Sequence, residues 1–368
     1  MKKYIFLIAT AAIVASCSKT DNFKETGELP IDFTDVQIEK STKAPFTDVA
    51  SLQASSFGVY GSKTVSGTTT KVFGQLAAEA NKGVQVSYNS TTSKWAYSPL
   101  RYWDKGASAY HFYAYAPYNA DNILGNVTWS ESTANSFSIS GFQQSHTQSD
   151  MIDILTDLTH QANVTTLQNT VDFSFSHILS NINFYMAVSP DLKADETNNP
   201  VSVNSISIGA VKMDGSYSYV SSAYTWTLAS NSTTATFNAT QSNSKVFAAR
   251  ALKAMTNTTG NTLTGAQVSA DPTEVPGLTS LLFVPQTLPT DTKYVVTIEY
   301  MIANETFNKT IDLNDFKKTV SNSDVYTSQW ISGYQYNYIL VIGPTPIEFG
   351  VHEIGGWADT DTYYYTIQ

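Results

Sequence analysis

Residues 109–115 read AYHFYAY, and this stretch decides the fold class. Side chains of a β-strand alternate between two faces, so every second residue points the same way. One face then carries Tyr110, Phe112 and Ala114, and the other carries His111, Tyr113 and Tyr115. A period of two predicts a strand here.

The same period recurs along the chain, bounded by clusters of Gly, Pro, Asn and Ser. It appears at 57–60, at Val171, Phe173 and Phe175, at Ile182, Phe184, Met186 and Val188, at Tyr294, Val296, Ile298 and Tyr300, and at Tyr334, Tyr336, Tyr338, Leu340 and Ile342. Asp214-Gly215 predicts a hairpin turn, because both residues tolerate positive φ. We expect an all-β protein built from sandwiches.

Helical signal is sparse. Residues 149–161 combine a capping serine with near-helical apolar spacing, and residues 245–255 are a second candidate helix. A domain break falls near 160–170, which gives an N-terminal domain at 34–165 and a C-terminal domain at 166–368. Residues 256–276, rich in Thr, Gly and Asn, read as a long loop.

The N-terminus has the order of a bacterial lipoprotein signal peptide. Residues 1–17 hold a short basic start, an apolar run and the small residues that precede Cys17. We expect acylation of Cys17, although an ordinary signal peptide with an incidental cysteine is the alternative. Residues 18–33 are polar and read as a flexible tether.

The composition of the chain argues against several classes of function. The chain has 1 cysteine, so with Cys17 acylated it has no disulfide or catalytic thiol. Only 14% of residues are charged, which is typical of a secreted β-protein. The net charge of -10, without a basic cluster, argues against a nucleic-acid partner.

No group of residues predicts catalysis, a metal site or a cofactor. Residues 352–356 (HEIGG) begin like a zinc-protease motif but lack its second histidine. Asp150, Asp153 and Asp157 share one face if 149–161 is a helix, and a solvated helix surface explains them. We interpret His177 as a hydrogen-bonded core or edge residue, and each of the 6 tryptophans as a packing residue.

Several sequence segments, taken in order, resemble the motifs of one protein family. They are 101–103 (RYW) with 110–117 (YHFYAYAP), 149–151 (SDM), 171–180 (VDFSFSHILS), 283–288 (FVPQTL), and Trp330 with 333–338 (GYQYNY). Their order and spacing, together with the lipobox, are similar to those of Bacteroidetes fimbrillin-like proteins. The likeness extends from about residue 33 to the C-terminus.

The resemblance implies two transthyretin-like β-sandwich domains in tandem and a subunit of a type V surface pilus. In that family a protease removes the N-terminal segment, which takes the first strand out of the N-terminal domain. A strand from the C-terminus of a neighbouring subunit then fills the opened groove, which is an instance of β-augmentation.

The processing site departs from the family pattern. Residues 31–38 (IDFTDVQI) are the candidate strand for removal, but the only two arginines, Arg101 and Arg250, lie far downstream. Lys43, followed by Ala44, is the candidate cleavage site for a lysine-directed protease. Alternatively the segment stays attached, and the chain is an anchor or accessory subunit.

The candidate donor is the tail, residues 345–368. Residues 347–349 and 362–368 each read as a strand, separated by a turn-rich stretch at 355–359, and Tyr363, Tyr365 and Ile367 share one face. Alternatively the tail packs on its own domain. An aromatic edge strand left unpaired favours aggregation, so we favour a pairing role.

The sequence therefore predicts a structural or adhesive pilus subunit, not an enzyme, with other subunits as partners and a host glycan or protein as a further candidate partner. A glycan-binding surface lipoprotein of a nutrient-uptake system is the alternative, and it requires an exposed aromatic platform. A secreted glycosidase would need two facing carboxylates, which nothing in the sequence assembles.

Overall fold

The computed structural model describes residues 29–38, 46, 48–131, 136–162, 170–188, 201–230, 233–238, 273–274, 278, 280–288, 295–303, 305–312, 317–320, 323–326, 329–342 and 348–356. These residues are almost all β-strand, which confirms the predicted fold class. One short helix, α1 (Val49–Gln53), begins where the Asp48 carboxylate accepts the Ser51 amide at 2.8 Å. Single 3₁₀ turns lie at Ala77–Glu79 and Gln148–Asp150.

The strands in chain order are β1 (Asp32–Ile38), β2 (Ser56–Val65), β3 (Thr68–Phe73), β4 (Val84–Asn89), β5 (Lys94–Ala96), β6 (Ala107–Ala116), β7 (Asn126–Ser130), β8 (Ser136–Gln143), β9 (Leu155–Ala162), β10 (Thr170–His177), β11 (Ser180–Val188), β12 (Val201–Val211), β13 (Asp214–Val220), β14 (Ala223–Leu228), β15 (Thr233–Asn238), β16 (Thr273–Glu274), β17 (Leu281–Phe283), β18 (Gln286–Thr287), β19 (Val295–Ile302), β20 (Glu305–Asp312), β21 (Lys317–Val320), β22 (Ser323–Tyr326), β23 (Gln329–Trp330), β24 (Tyr334–Ile342) and β25 (Glu348–Gly356).

The first sheet has the order β1-β10-β9-β6-β2-β4-β5, with β3 on β2. Its inner face encloses a core of its own, to which β1, β2, β6 and β10 each contribute buried side chains. Residues 29–31, just before β1, pair with residues 101–103, which follow β5. The two ends of the sheet are thereby joined, and β1 lies at the closure.

A second sheet, β14-β13-β8-β7, covers the outer face of the first. Tyr60 of β2 and Tyr115 of β6 pack there against Phe137 of β8, with ring centroids 6.4 and 5.7 Å apart. Strand β13 pairs with β8, so this sheet takes strands from both sides of residue 165. Strand β10 likewise belongs to the first sheet. The division at residue 165 stays a prediction.

The C-terminal strands form two further sheets, β16-β11-β24-β25, with β17 on β11, and β15-β12-β19-β20. Their buried side chains belong to one apolar cluster that continues under the second sheet. Within the first of these two sheets, β24 pairs in parallel with β11 and antiparallel with β25, which is the edge strand.

Two local predictions were wrong. Residues 149–161 do not form a helix, because Leu155–Ala162 is strand β9, hydrogen-bonded to β6 and β10. Asp214 and Gly215 do not form a hairpin turn; they begin β13, which pairs with β8 and β14 and not with β12. A Cβ on Gly215 would lie 3.0 Å from the Thr227 oxygen, so this glycine allows close packing.

The other local predictions have mixed outcomes. The candidate helix at 245–255 lies outside the described residues, and β16 falls inside the stretch predicted as a loop at 256–276. Among the residues with described positions, no helix is long and apolar enough to cross a membrane.

Candidate functional site

The N-terminal segment, residues 29–38, has backbone partners on two sides. On one side β1 runs parallel to β10, with Phe33 beside Val171 and Ile38 beside Phe175. On the other side the Ile31 amide donates to the Arg101 oxygen at 2.8 Å, and the Trp103 amide donates to the Leu29 oxygen at 3.1 Å. Residues 29–38 therefore fill a slot between β10 and residues 101–103.

Pro30 occupies the one position of this ladder where a missing N–H has no cost. It lies opposite Tyr102 in an antiparallel bridge, and the two hydrogen bonds flank the pair without using the Pro30 nitrogen. A proline is excluded from bonded positions of a ladder and is accepted at unbonded ones.

Phe33 anchors the strand in the core. It is 2% exposed and lies among five aromatic rings with centroid distances between 5.4 and 6.5 Å, from Phe57, Phe73, Tyr97, Phe112 and Phe173. Ile31 and Val36 are buried beside it. Removing β1 would expose an apolar trough lined by these rings.

The strand does not fit its slot evenly. Phe33 pairs with Val171 and Val36 pairs with Phe173. Two residues of β1, Thr34 and Asp35, therefore lie opposite one residue of β10, which is a β-bulge. Asp172 of β10 holds the bulge through its Oδ1, which accepts from the Thr34 hydroxyl at 2.9 Å and from the Asp35 amide at 3.1 Å.

A buried ion pair supports the other wall of the slot. Arg101 is fully buried, and its Nη2 donates to Glu79 Oε1 at 2.9 Å while its Nε donates to the Val72 oxygen. The second Glu79 oxygen accepts from the amides of Gly74 and Leu76. A buried charge pair that keeps its hydrogen bonds is costly to break. Burial also makes Arg101 inaccessible to an arginine-directed protease in the folded chain.

Tyr97 connects this wall to the strand. Its hydroxyl donates to the Ile31 oxygen at 2.7 Å and accepts from the Arg101 amide at 3.1 Å. Burial, as the largest cause, raises the pKa of the Tyr97 hydroxyl, and the neutral form is the one that donates to Ile31.

The site residues predicted from the sequence lie outside the part of the chain that the structure describes. These are Cys17, Lys43, Ala44, Tyr363, Tyr365 and Ile367. Their roles in lipidation, processing and strand donation stay predictions. Of the predicted tether, residues 29–33 are paired and partly buried in the first core, because their apolar side chains fill its open edge.

The predicted C-terminal strand is present but longer than expected. Strand β25 runs through Gly355 and Gly356, which the sequence had assigned to a turn-rich stretch. It pairs with β24 of its own chain, with a one-residue bulge at His352. The HEIGG segment is therefore strand and not a helix that could bear a zinc motif.

The acidic residues at 150–157 are separated. Asp153 is buried and contacts the His177 ring nitrogen Nδ1 at 3.0 Å, which agrees with the interpretation of His177 as a bonded core residue. Asp157 accepts the Ser174 amide, and Asp150 ends a 3₁₀ turn. In the described ranges no three His, Cys, Asp or Glu side chains cluster as metal ligands would.

The tryptophans are taken up by packing. Trp95, Trp103, Trp129 and Trp330 are buried and Trp226 is half-buried, whereas Trp357 lies outside the described residues. The Trp226 indole donates to the Ile178 oxygen at 2.9 Å. These five rings leave no tryptophan platform for stacking on sugars, at least over the ranges with described positions.

A four-residue pattern that was not among the predicted site features occurs at both ends of the chain. Residues 30–33 read PIDF and residues 346–349 read PIEF, and no other proline in the chain is followed by isoleucine. A search for internal repeats would have found it, because the two segments lie at opposite ends of the chain and share a four-residue pattern.

The geometry defines a class of protein: an all-β subunit whose N-terminal strand closes its own core. The fimbrillin-like family model matches residues 42–357. The chain belongs to the fimbrillin-like family.

Relatives agree with this assignment. Fimbrium subunit Fim1C of Phocaeicola vulgatus is 24% identical over 384 aligned positions that cover 97% of each chain. The crystal structure of a fimbrial protein from Bacteroides vulgatus ATCC 8482 has a TM-score of 0.53 at 18% identity, covering 89% of this chain and 99% of that one, which supports the fold. The family is one of fimbrial structural proteins and not of enzymes, as the sequence predicted.

Proposed function

We propose that this chain is a fimbrial subunit that joins its neighbours by exchanging β1 for a strand of another subunit. The single observation that carries the proposal is the position of residues 29–38. Residues 29–31 bond residues 101–103, residues 32–38 pair with β10, and Phe33 fills a core of aromatic rings, ahead of the rest of the domain in the chain. One cut after β1 is enough to make this plug a separate peptide.

Release of β1 would expose an unpaired sheet edge and an apolar groove to water. The edge of β10 and the amides at 101–103 would lose their partners, and the Phe33 site would become an apolar hollow. Unpaired sheet edges and apolar grooves both favour the capture of an extended segment. A strand from another subunit satisfies both at once, and the junction needs no covalent bond.

Lys43 is the proposed trigger. It lies between Ile38, the last residue of β1, and Phe46, which is 7% exposed in the first core. A cut between Lys43 and Ala44 separates β1 while Phe46 keeps the new N-terminus on the body of the domain. Before the cut, acylated Cys17 would hold the chain on the outer membrane, and afterwards the subunit would be free to enter a fimbrium at the cell surface.

The donor in this proposal is the C-terminal tail, residues 345–368, of a neighbouring copy or a related subunit. Strand β25 begins this tail and is an edge strand, bonded to β24 on one side. An edge strand with one bonded neighbour leaves its sheet at a lower cost than a central strand does.

N-terminal sequencing and intact mass of the chain recovered from surface fimbriae test the proposal. We expect a chain that begins at Ala44, carries no lipid and lacks residues 29–38. Lys43→Gln should leave acylated, unassembled subunits in the membrane, and Lys40→Gln in the same segment is the matched control. Assembled fimbriae built from chains that still begin at Cys17 would refute the exchange of β1.

A further inference from the structure

The plug and the tail begin with the same residues, and the slot explains why. Pro30 sits at the unbonded position opposite Tyr102, the Ile31 amide bonds Arg101, and Phe33 fills the aromatic hollow. Pro346, Ile347 and Phe349 repeat this order at the same spacing, with Glu348 in place of Asp32. Each feature that the slot requires of residues 30–33 is therefore present at 346–349.

The two segments differ where the plug fits badly. Between phenylalanine and valine, β1 has Thr34 and Asp35, and the tail has only Gly350 before Val351. Strand β10 has one residue, Asp172, between the partners of Phe33 and Val36. A segment with Phe349 beside Val171 and Val351 beside Phe173 would run along β10 without a bulge. Beyond Val36 and Val351 the two segments no longer resemble each other in sequence.

We propose that residues 346–351 of a neighbouring copy replace residues 30–36, and that the bulge at Thr34 and Asp35 makes β1 the weaker occupant. This inference rests on the proposed function and names the donor within the tail. A bulge interrupts the ladder, and here the Asp35 amide bonds the Asp172 side chain. The donor restores the interrupted pairing, so exchange is favourable once β1 is no longer covalently attached.

The test uses the full chain with a specific protease site at 41–43, so that β1 can be released on demand. Four labelled peptides compete for the opened slot: residues 346–354, residues 29–38, residues 362–368, and residues 346–354 with an aspartate inserted after Gly350. We expect the first peptide to bind at least about tenfold more tightly than residues 29–38. The inserted aspartate should remove this advantage.

Three results would count against the inference. Preferential binding of residues 362–368 would assign the donor to the aromatic end of the tail instead. Equal binding of the natural and aspartate-inserted peptides would remove the role of the bulge. Failure of every peptide, including residues 29–38, would overturn the proposed function together with this inference, so the two failures are distinguishable.

A change in the plug itself gives an independent readout. Deletion of Asp35 makes β1 match the spacing of β10, so after cleavage the fragment with residues 29–38 should remain bound at least about tenfold longer. Asp35→Asn keeps the bulge and is the matched control. Release of the deleted plug at the rate of the control would contradict the inference.

Discussion

Residues 30–33 and residues 346–349 have nearly the same sequence and lead into strands with different surroundings. Residues 29–31 bond residues 101–103, β1 pairs with β10, and Phe33 lies among five rings. Among the described strands, β25 pairs with β24 alone and lies at the edge of its sheet. The surroundings, and not the sequence alone, therefore distinguish the segment that closes a core from the segment at a sheet edge. The proposed exchange of β1 starts with a cut in the chain.

The largest expected effect follows from truncating the anchor of the plug. Phe33→Ala should lower the free energy of unfolding by about 3–5 kcal/mol, because it empties a site enclosed by aromatic rings. Urea unfolding measures this. Tyr224→Ala, at a residue 57% exposed, is the control and should cost less than about 0.5 kcal/mol. Equal losses would show that Phe33 does not anchor the domain.

The second effect concerns the wall opposite β10. Glu79→Ala should cost about 3 kcal/mol, because Arg101 would remain buried without its carboxylate partner. Glu131→Ala breaks the exposed contact with Lys71, 3.5 Å long, and should cost at most about 1 kcal/mol. Thermal unfolding of both variants distinguishes a supporting pair from a surface pair. If the two losses are alike, the ion pair does not support the slot.

Hydrogen exchange compares the two strands directly. In the uncut chain, the Ile31 amide is bonded to Arg101 inside the closed slot, whereas β25 pairs with β24 alone among the described strands. We expect β25 amides to exchange at least about tenfold faster than the Ile31 amide, which corresponds to ~1.4 kcal/mol of opening free energy. Mass spectrometry of peptic fragments measures this. Slower exchange of the β25 amides than of the Ile31 amide would contradict this expectation.

The smallest effect appears in alkaline solution. Burial raises the pKa of Tyr97 above its unfolded value, so its contribution to stability is complete below about pH 10 and is lost as the pH rises further. Tyr97→Phe removes that contribution, so between pH 10 and 11 the wild type should lose up to about 1.4 kcal/mol more than the variant. If the wild type and Tyr97→Phe lose the same free energy of unfolding over this pH range, the Tyr97 hydroxyl is not the group responsible.

Much of the fold follows from local periodicity. The alternation at 109–115 becomes β6, and that at Val171, Phe173 and Phe175 becomes β10. In β10 the alternating residues Val171, Phe173 and Phe175 are buried, and in β6 residues 110–116 are buried on both faces apart from His111, because the apolar side chains leave water on either side of the sheet. The period of two is thus sufficient where a strand has one strongly apolar face.

The errors arise where tertiary pairing overrides local signals. Leu155–Ala162 has near-helical apolar spacing, yet β6 and β10 both offer it an open edge, and ladder bonds outweigh helix propensity. The two-residue hairpin nearest to the predicted one lies at Ser221 and Ser222, both with positive φ. Serine is a weak signal for this turn, so the sequence did not predict it.

The sequence predicted the strand at the site but not the residues that surround it. Residues 31–38 were identified as the strand for removal, but nothing in the sequence indicates that Asp172, Arg101 and Tyr97 surround it. These contacts join residues separated by 66 to 138 positions in the chain. Such contacts become visible only when the sheet is closed.

A reversible covalent lock decides whether β1 must leave its slot before fimbriae form. Gln37 and Ser174 are paired on β1 and β10, so Gln37→Cys with Ser174→Cys should form a disulfide that holds the plug after cleavage at Lys43. We expect no fimbriae from the oxidised double variant, recovery of assembly on reduction, and normal assembly from each single variant. Fimbriae that assemble with the disulfide intact, and with β1 still in place, would contradict it.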